Sequence, residues 1–505
     1  MVDSFAQHYH QRTKYDPDTI AARSQGLDWS QQPSSHKEYK IGTVYDLKPY
    51  LQSTKQDFDS HWWQRLSLFL LCSYGLTARV QTMGDPMFLR AAPSAGGLYP
   101  AEIYLVSRGN KLLPAGLYNY QVKDHTLIHF WASDVWQSIQ GATFMHPVLA
   151  IADLALITTA VFQRSAWRYQ DRAYRRIFLD TGHLLGNIEL AGSMNGFRPY
   201  LIGGFIDKTI NELLYLNTEL EGAVSIIPCV DLDTHPDRIS PYFPTALPSK
   251  TNLEYPNLAD GKLLSYFHQA TEIESFKQLP ANPADVAPVE LDDKYNFPFC
   301  FKVSTQTDPI NWQDTLPLSG LEDTILKRRS TRSYSGAEIT FDELKYILDF
   351  TYHPENYAEQ HLDPQPDYFD LSLIETFVAV SGVTGLEEGC YYYAPKAQEL
   401  RQIRFKNFRS ELHYLCLGQE LGRDAGAIVF HTADLSTAIK KYGDRAYRYL
   451  HLDAGNLGQR LNLAAIRLEL GVSGIAGFFD DRVNEVLSIP TSEAVLYITT
   501  LGRPA

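Results

Sequence analysis

The sequence predicts an α+β fold built twice in tandem. Three observations predict it: a repeat at a fixed offset of 273 positions, a length of 505 residues, and helical and strand-like stretches that mix without regular strand–helix alternation. Tyr169-Gln170-Asp171-Arg172-Ala173-Tyr174-Arg175 recurs as Tyr442-Gly443-Asp444-Arg445-Ala446-Tyr447-Arg448. The register runs on to Gly203-Gly204-Phe205-Ile206-Asp207 against Ala476-Gly477-Phe478-Phe479-Asp480, and to Asn211-Glu212 against Asn484-Glu485. Tyr169–Leu214 and Tyr442–Leu487 share 19 identities in 46 positions. Solenoid repeats run to tens of residues, so a period this long marks a duplicated domain. The length alone also exceeds what one core supports.

Taken in order, residues 1–61 are a polar extension. The first copy, 62–235, opens on an apolar helix through Leu66, Leu68, Phe69, Leu70 and Leu71. The alternating strand Ala101–Val106 follows, then the hairpin-like Gly116–Tyr120, then a long helix through Tyr174, Leu179, Leu184 and Leu190. From Pro228 to Pro317 the chain holds 12 of its 27 prolines, which marks 236–320 as a connection, with a short helix near Gly261–Phe276. The second copy, 321–505, is expected to carry a helix at Phe341–Tyr352, a buried strand at Ala427–Phe430 and a terminal strand at Val495–Thr500.

Composition narrows the function. A net charge of -14 argues against nucleic acid as a main partner, because phosphate backbones select basic faces. Five scattered cysteines, without CxxC or metal-like spacing, read as free thiols in a reducing compartment, and no metal is expected. The start Met-Val-Asp-Ser-Phe-Ala-Gln-His lacks an apolar core, and the longest apolar run, Val148–Phe162, is interrupted by Asp153. These features predict a cytoplasmic protein without a membrane partner. No GxGxxG after a strand, GxxxxGK[ST] or HExxH is present.

Two segments differ between the copies. Lys327-Arg328-Arg329-Ser330-Thr331-Arg332 places three guanidiniums around a hydroxyl, a set suited to a phosphate. It reads equally as a solvated basic turn. The first copy has Asp57 opposite Ser330 and no arginine between Arg23 and Arg65. Conversely, Ala92-Pro93-Ser94-Ala95-Gly96-Gly97-Leu98-Tyr99-Pro100 is a loop of small residues whose backbone can approach a flat ligand, or simply a tight turn before a strand. The second copy puts Pro366-Asp367-Tyr368-Phe369-Asp370 there. Asp171/Arg172 and Asp444/Arg445, present in both copies, read as structural ion pairs at a helix start. His183, which is Asn456 in the other copy, reads as a packed helix residue.

In this order RRSTR, PSAGGLYP, KYGDRAYR and GIAGFFDD with a final LGRP resemble the nitroreductase superfamily of flavoproteins. The branch most similar is that of SagB-type, or azoline (thiazole/oxazole), dehydrogenases. The resemblance implies two fused nitroreductase-like domains forming an intrachain pseudo-dimer. It implies FMN held by Arg328, Ser330 and Arg332 at the phosphate, with Pro93, Ser94, Ala95 and Gly96 along the ring and ribityl chain. Ile475, Ala476 and Gly477 would bring backbone N–H groups to the flavin edge, and Arg503 would add a contact. Lys441-Tyr442 matches the branch's substrate-deprotonating pair. Since RRSTR survives only in one copy and PSAGG only in the other, one FMN per chain is expected. The function implied is hydride transfer to flavin N5, from an azoline-type ring in a modified peptide. The alternatives are NAD(P)H-dependent reduction of a nitro compound or quinone, with the nicotinamide docking only transiently, or a flavin-binding or interaction protein without turnover. Partners would be a small-molecule or peptide substrate. Further oligomerisation is left open by the sequence.

Overall fold

The computed structural model describes residues 3–20, 26–52, 57–81, 86–235, 244–275, 291–313 and 320–505. Its core is a pair of 22-residue helices, Ala173–Met194 and Ala446–Arg467, buried along almost their whole length. They touch at glycines that the repeat pairs with one another. A Cβ on Gly182 would lie 2.2 Å from the Leu452 carbonyl oxygen, and one on Gly455 would lie 2.3 Å from that of Leu179. Only glycine permits this backbone contact, and its reciprocity places a pseudo-two-fold axis there.

Each helix lies on a seven-stranded antiparallel sheet. The first runs in the order Thr43–Asp46, Thr126–Trp131, Gly116–Gln121, Ala101–Ser107, Leu154–Val161, Glu221–Asp231, Phe197–Pro199. The second runs Phe301–Ser304, Glu399–Arg404, Gly389–Ala394, Glu375–Val380, Ala427–Asp434, Glu493–Gly502, Gly471–Ile475. Inner strands such as Leu154–Val161, read by sequence as near-continuous β-branched and apolar runs, are buried on both faces, as a sheet covered on two sides requires. The α+β class and the tandem pseudo-dimer are thus the observed architecture.

Two expected boundaries move. Thr43–Asp46 is an edge strand of the first sheet and Phe301–Ser304 its counterpart in the second, so neither the polar extension nor the proline-rich connection stands apart from the domains. The repeat reaches back further still. The helix Phe5–Thr13 matches Leu263–Ala270 at an offset of 258 positions, with His10-Gln11-Arg12-Thr13 against His268-Gln269-Ala270-Thr271. Each segment is gripped by its own copy in the same way: Arg175 donates to the His10 carbonyl and the Thr13 hydroxyl, and Arg448 to the His268 carbonyl and the Thr271 hydroxyl. Each copy therefore begins with an arm. The connection's expected helix spans Leu263–Ala270; Phe276 lies outside the described residues. The helix expected at Phe341–Tyr352 has those limits, set by a Thr340/Glu343 capping box.

The shared Asp-Arg-Ala-Tyr-Arg is structural, but its ion pairs are not the adjacent ones expected. Arg172 and Arg175 hold Asp480 at 2.8 and 2.6 Å, and Arg445 and Arg448 hold Asp207 at 2.7 and 3.1 Å. All six side chains are buried. Asp171 and Asp444 instead accept backbone amides, of Gly261 and Leu264 and of Ala6 and Asn252. His183 is packed, bonded to Gln459 and Tyr497, and burial pushes it down to about 3. All five cysteines are unpaired. Among the described residues no helix is long and apolar enough to cross a membrane, and no cluster of metal-ligating side chains occurs.

Candidate active site

The pseudo-symmetry generates two equivalent places between the domains, and they are built differently. On one side lies a cavity of about 690 Å³. Ala95 and Gly96 of the first copy face Gly474, Ile475, Ala476 and Gly477 of the second across it. Arg168–Arg172 and Arg176 form another wall, and Arg12, Thr13 and Tyr15 of the first arm close over it. The small-residue loop owes its shape to Asp180 on the central helix. That carboxylate accepts from the Ser94 hydroxyl at 2.5 Å and the Ala95 amide at 3.1 Å, while Ser94 Oγ in turn accepts the Tyr99 amide. Burial pushes Asp180 up to about 7 against those hydrogen bonds. Gly96 and Gly97 both sit at φ 68°, where side chains are strained. The serine is therefore spent on folding the loop.

The basic segment packs directly against the strand that leads into this loop. Arg328 donates to the Ala91 carbonyl at 2.7 Å and Arg329 to that of Thr77 at 2.8 Å, while Thr331 pairs with Val472 beside Gly474. Burial brings the Arg328 guanidinium down to about 10. Among the described residues none of Arg328, Arg329 and Arg332 has a carboxylate partner, and Ser330 and Arg332 are partly or fully open to solvent. A buried cation without an anion is costly, so the cluster suits a bound phosphate. The guanidinium cluster thus touches the backbone that leads into the small-residue loop, while the cavity wall itself is formed by Ala95 and Gly96 and not by Arg328, Ser330 or Arg332. Arg503 is engaged elsewhere, with Glu343 at 2.9 Å and the Glu338 carbonyl.

The twin place is full. A Cβ on Gly203 would fall 2.2 Å from the Phe369 ring, and one on Gly204 would fall 2.3 Å from Leu247; these glycines are the counterparts of Ala476 and Gly477. Phe369 stacks on Tyr449 at 4.8 Å, and the Tyr449 hydroxyl donates to the Leu247 carbonyl. The segment Thr245–Ser249 is stitched across the place by bonds from the Gly203 amide to Thr245 and from the Ser249 amide to Tyr442. Asp57, which stands opposite Ser330 at the sequence offset of 273, caps the helix Phe58–Tyr74 by accepting the Ser60 amide.

Lys441 and Tyr442 belong to this filled side, which corrects their expected place. Lys441 Nζ lies 2.5 Å from Asp370 Oδ2, and the Tyr442 hydroxyl donates to the same oxygen at 2.9 Å. Their motif was read in the right copy, but the fold turns it toward the Gly203 segment, and the open cavity receives Arg168 and Tyr169 instead. Sequence reading also passed over Tyr15. A parallel bridge to Phe479 sets it in the wall, under the Arg172 guanidinium at 4.1 Å. Burial would raise its phenol, but Arg176 and Arg172 together hold it below the ordinary value.

Comparison with known proteins agrees with this architecture. The model of the nitroreductase family matches residues 77–229 and again 325–503. The chain belongs to the nitroreductase family. An Anabaena variabilis protein of known crystal structure, described as a nitroreductase, is 65% identical over the whole of both chains, with a TM-score of 0.93. A Methanocaldococcus jannaschii protein named as a nitroreductase is 32% identical over 183 residues, 36% of this chain and 90% of its own. The microcin B17-processing protein McbC of Escherichia coli is 24% identical over 135 residues, 25% of this chain and 49% of its own length. Family membership makes the protein a flavin-dependent oxidoreductase in general terms.

Proposed function

We propose that the chain is an FMN-dependent oxidoreductase with one working site, the open cavity between the domains. The observation that carries this reading is the asymmetry: one place is an open cavity between Ala95–Gly96 and Gly474–Gly477, and its twin is occupied by Leu247 and Phe369. Arg328, with Ser330 and Arg332, would hold the phosphate. The loop Pro93–Gly96 would lie along the ring and ribityl chain, and the backbone of Ile475, Ala476 and Gly477 would face the ring edge. Bound flavin supplies hydride chemistry at N5.

Two directions of reaction remain, and the similarity to McbC supports the azoline dehydrogenase one, with a peptide substrate. The cavity wall favours the other. Removing a proton beside nitrogen needs a base, and Arg168 stands where that branch's lysine is expected; a guanidinium does not give up its proton. Lys441 and Tyr442 are bound to Asp370 on the filled side. Reduction of a nitro compound or quinone by NAD(P)H is thus the reading the open site supports best. Anaerobic addition of NADPH should bleach the flavin band within the time of an enzymatic turnover. A flavin band indifferent to NADPH but bleached by an azoline peptide would reverse the order of the two readings. Colourless protein, or yellow protein inert to every donor, would leave a binding protein without turnover.

A further inference from the structure

The cavity wall holds more positive charge than its carboxylates answer. Four arginines line it: Arg12, Arg168, Arg172 and Arg176. Arg12 faces Asp260 and Arg172 faces Asp480, while Asp171 is turned to two amides and Asp180 to the loop of small residues. Among the described residues neither Arg168 nor Arg176 forms an ion pair; Arg176 lies near enough to Asp180 to favour its charged form, but that carboxylate is bonded to Ser94 and Ala95. Arg176 is only 5% exposed and lies 3.8 Å over the Tyr169 ring and 5.9 Å from the Tyr15 ring, and its Nη1 is buried with no acceptor. Leaving such a buried donor unpaired is costly, and a ligand's acceptor would relieve that cost.

The two guanidiniums border both halves of the proposed flavin bed. Arg168 Nη1 is 3.3 Å from where a Cβ on Gly96 would sit, and Arg176 Nη2 is 3.5 Å from the same point on Gly477. On the filled side their counterparts are Lys441, neutralised by Asp370, and Tyr449, bonded to two carbonyls. The unanswered charge is confined to the open place. We propose that Arg168 and Arg176 form an anion subsite, so that the molecule taken into this cavity carries a carboxylate or a phosphate beside its reacting group. The proposal rests on the flavin reading above for what lies next to the subsite, not for the subsite itself.

Isothermal titration of the protein as purified tests it, with 4-nitrobenzoate against the neutral 4-nitrobenzamide and NADP+ against NAD+. In at least one pair the member with the additional anionic group, the carboxylate of 4-nitrobenzoate or the extra phosphate of NADP+, should bind tighter by about tenfold or more, about 1.4 kcal/mol. Arg176→Gln should bring that ratio close to one and Arg168→Gln should reduce it. Preference for 4-nitrobenzoate would assign the anion to the substrate; preference for NADP+ alone would assign it to the donor's phosphate. Equal binding within both pairs, or a ratio unchanged in both variants, would overturn the subsite. So would loss of the flavin band in folded Arg176→Gln, which would make that residue a cofactor ligand. If circular dichroism shows Arg176→Gln misfolded, the exposed Arg168→Gln decides. Colourless wild-type protein would sink the flavin reading while the titrations still report on the arginines.

Discussion

The two places across the pseudo-two-fold axis are made from equivalent residues, and only one of them is open. On the open side Arg168, Arg176 and Gly477 face a cavity; on the other, Lys441, Tyr449 and Gly204 face Asp370, Phe369 and Leu247. The central helices, the arginine–aspartate clamps and the arms are nearly indifferent to this difference. Fusion of two copies lets the shared scaffold keep its symmetry while the ligand-facing loops drift. Both halves keep their buried aspartate, Asp207 and Asp480, whereas the open cavity is lined by a small-residue loop that only the first copy keeps.

That contrast can be attacked at several points. The largest effect is expected at the clamps: Asp207→Asn and Asp480→Asn should each lower stability by about 3–5 kcal/mol in denaturant unfolding, because each strands two buried guanidiniums. Asp480→Asn should also disturb ligand binding, since Arg172 lines the cavity, and Asp207→Asn should not. Unequal losses of stability would show that the halves are not mechanically equivalent. Next, Phe369→Ala should cost about 3 kcal/mol through its cavity and still admit no second flavin, because the guanidiniums described beside that place, Arg445 and Arg198, are already paired with Asp207 and Asp367. Appearance of a second flavin in that variant would mean that packing alone closes the twin.

Smaller effects sharpen the comparison. Asp180 is pushed up to about 7, above its unfolded value near 4, so the folded state holds its proton longer than the unfolded one. Wild type should therefore lose stability relative to Asp180→Asn, on the order of 3 kcal/mol, as pH rises from about 4 to about 7. A flat difference across that range would mean the carboxyl is not held this way. The smallest effect concerns the turn that ends the helix before each clamp. Gln170 sits there at φ 49° and ψ −139°, where its counterpart is Gly443 at φ 63° and ψ −158°. Gln170→Gly should add about 1 kcal/mol of stability, measured as a raised melting temperature. A loss would show that the Gln170 side chain, which lines the cavity, contributes more than its backbone strain removes.

Much of the architecture was legible because duplication leaves a periodic trace. The register that pairs Gly182 with Gly455 was in the string, and so were the limits of the helix Phe341–Tyr352, through its capping box. The arms were missed because the offset changes from 273 to 258 ahead of the sheets, so that His10-Gln11-Arg12-Thr13 and His268-Gln269-Ala270-Thr271 fall out of register with the rest. That RRSTR stands only in one copy and PSAGG only in the other was legible as complementary loss. Which face Lys441 points to was not, because a motif on a helix start says nothing about which of two symmetric places it lines. The filling of the twin by Leu247 and Phe369 is tertiary packing with no local sequence signal.

The most direct test is the flavin count per chain, by absorbance of the released cofactor against protein mass, on wild type and on Arg328→Ala. One FMN per wild-type chain and none in a folded Arg328→Ala protein is the predicted result. Two flavins per chain, or an Arg328→Ala protein that keeps its colour, would contradict the claim that one place between the domains works and its twin is closed.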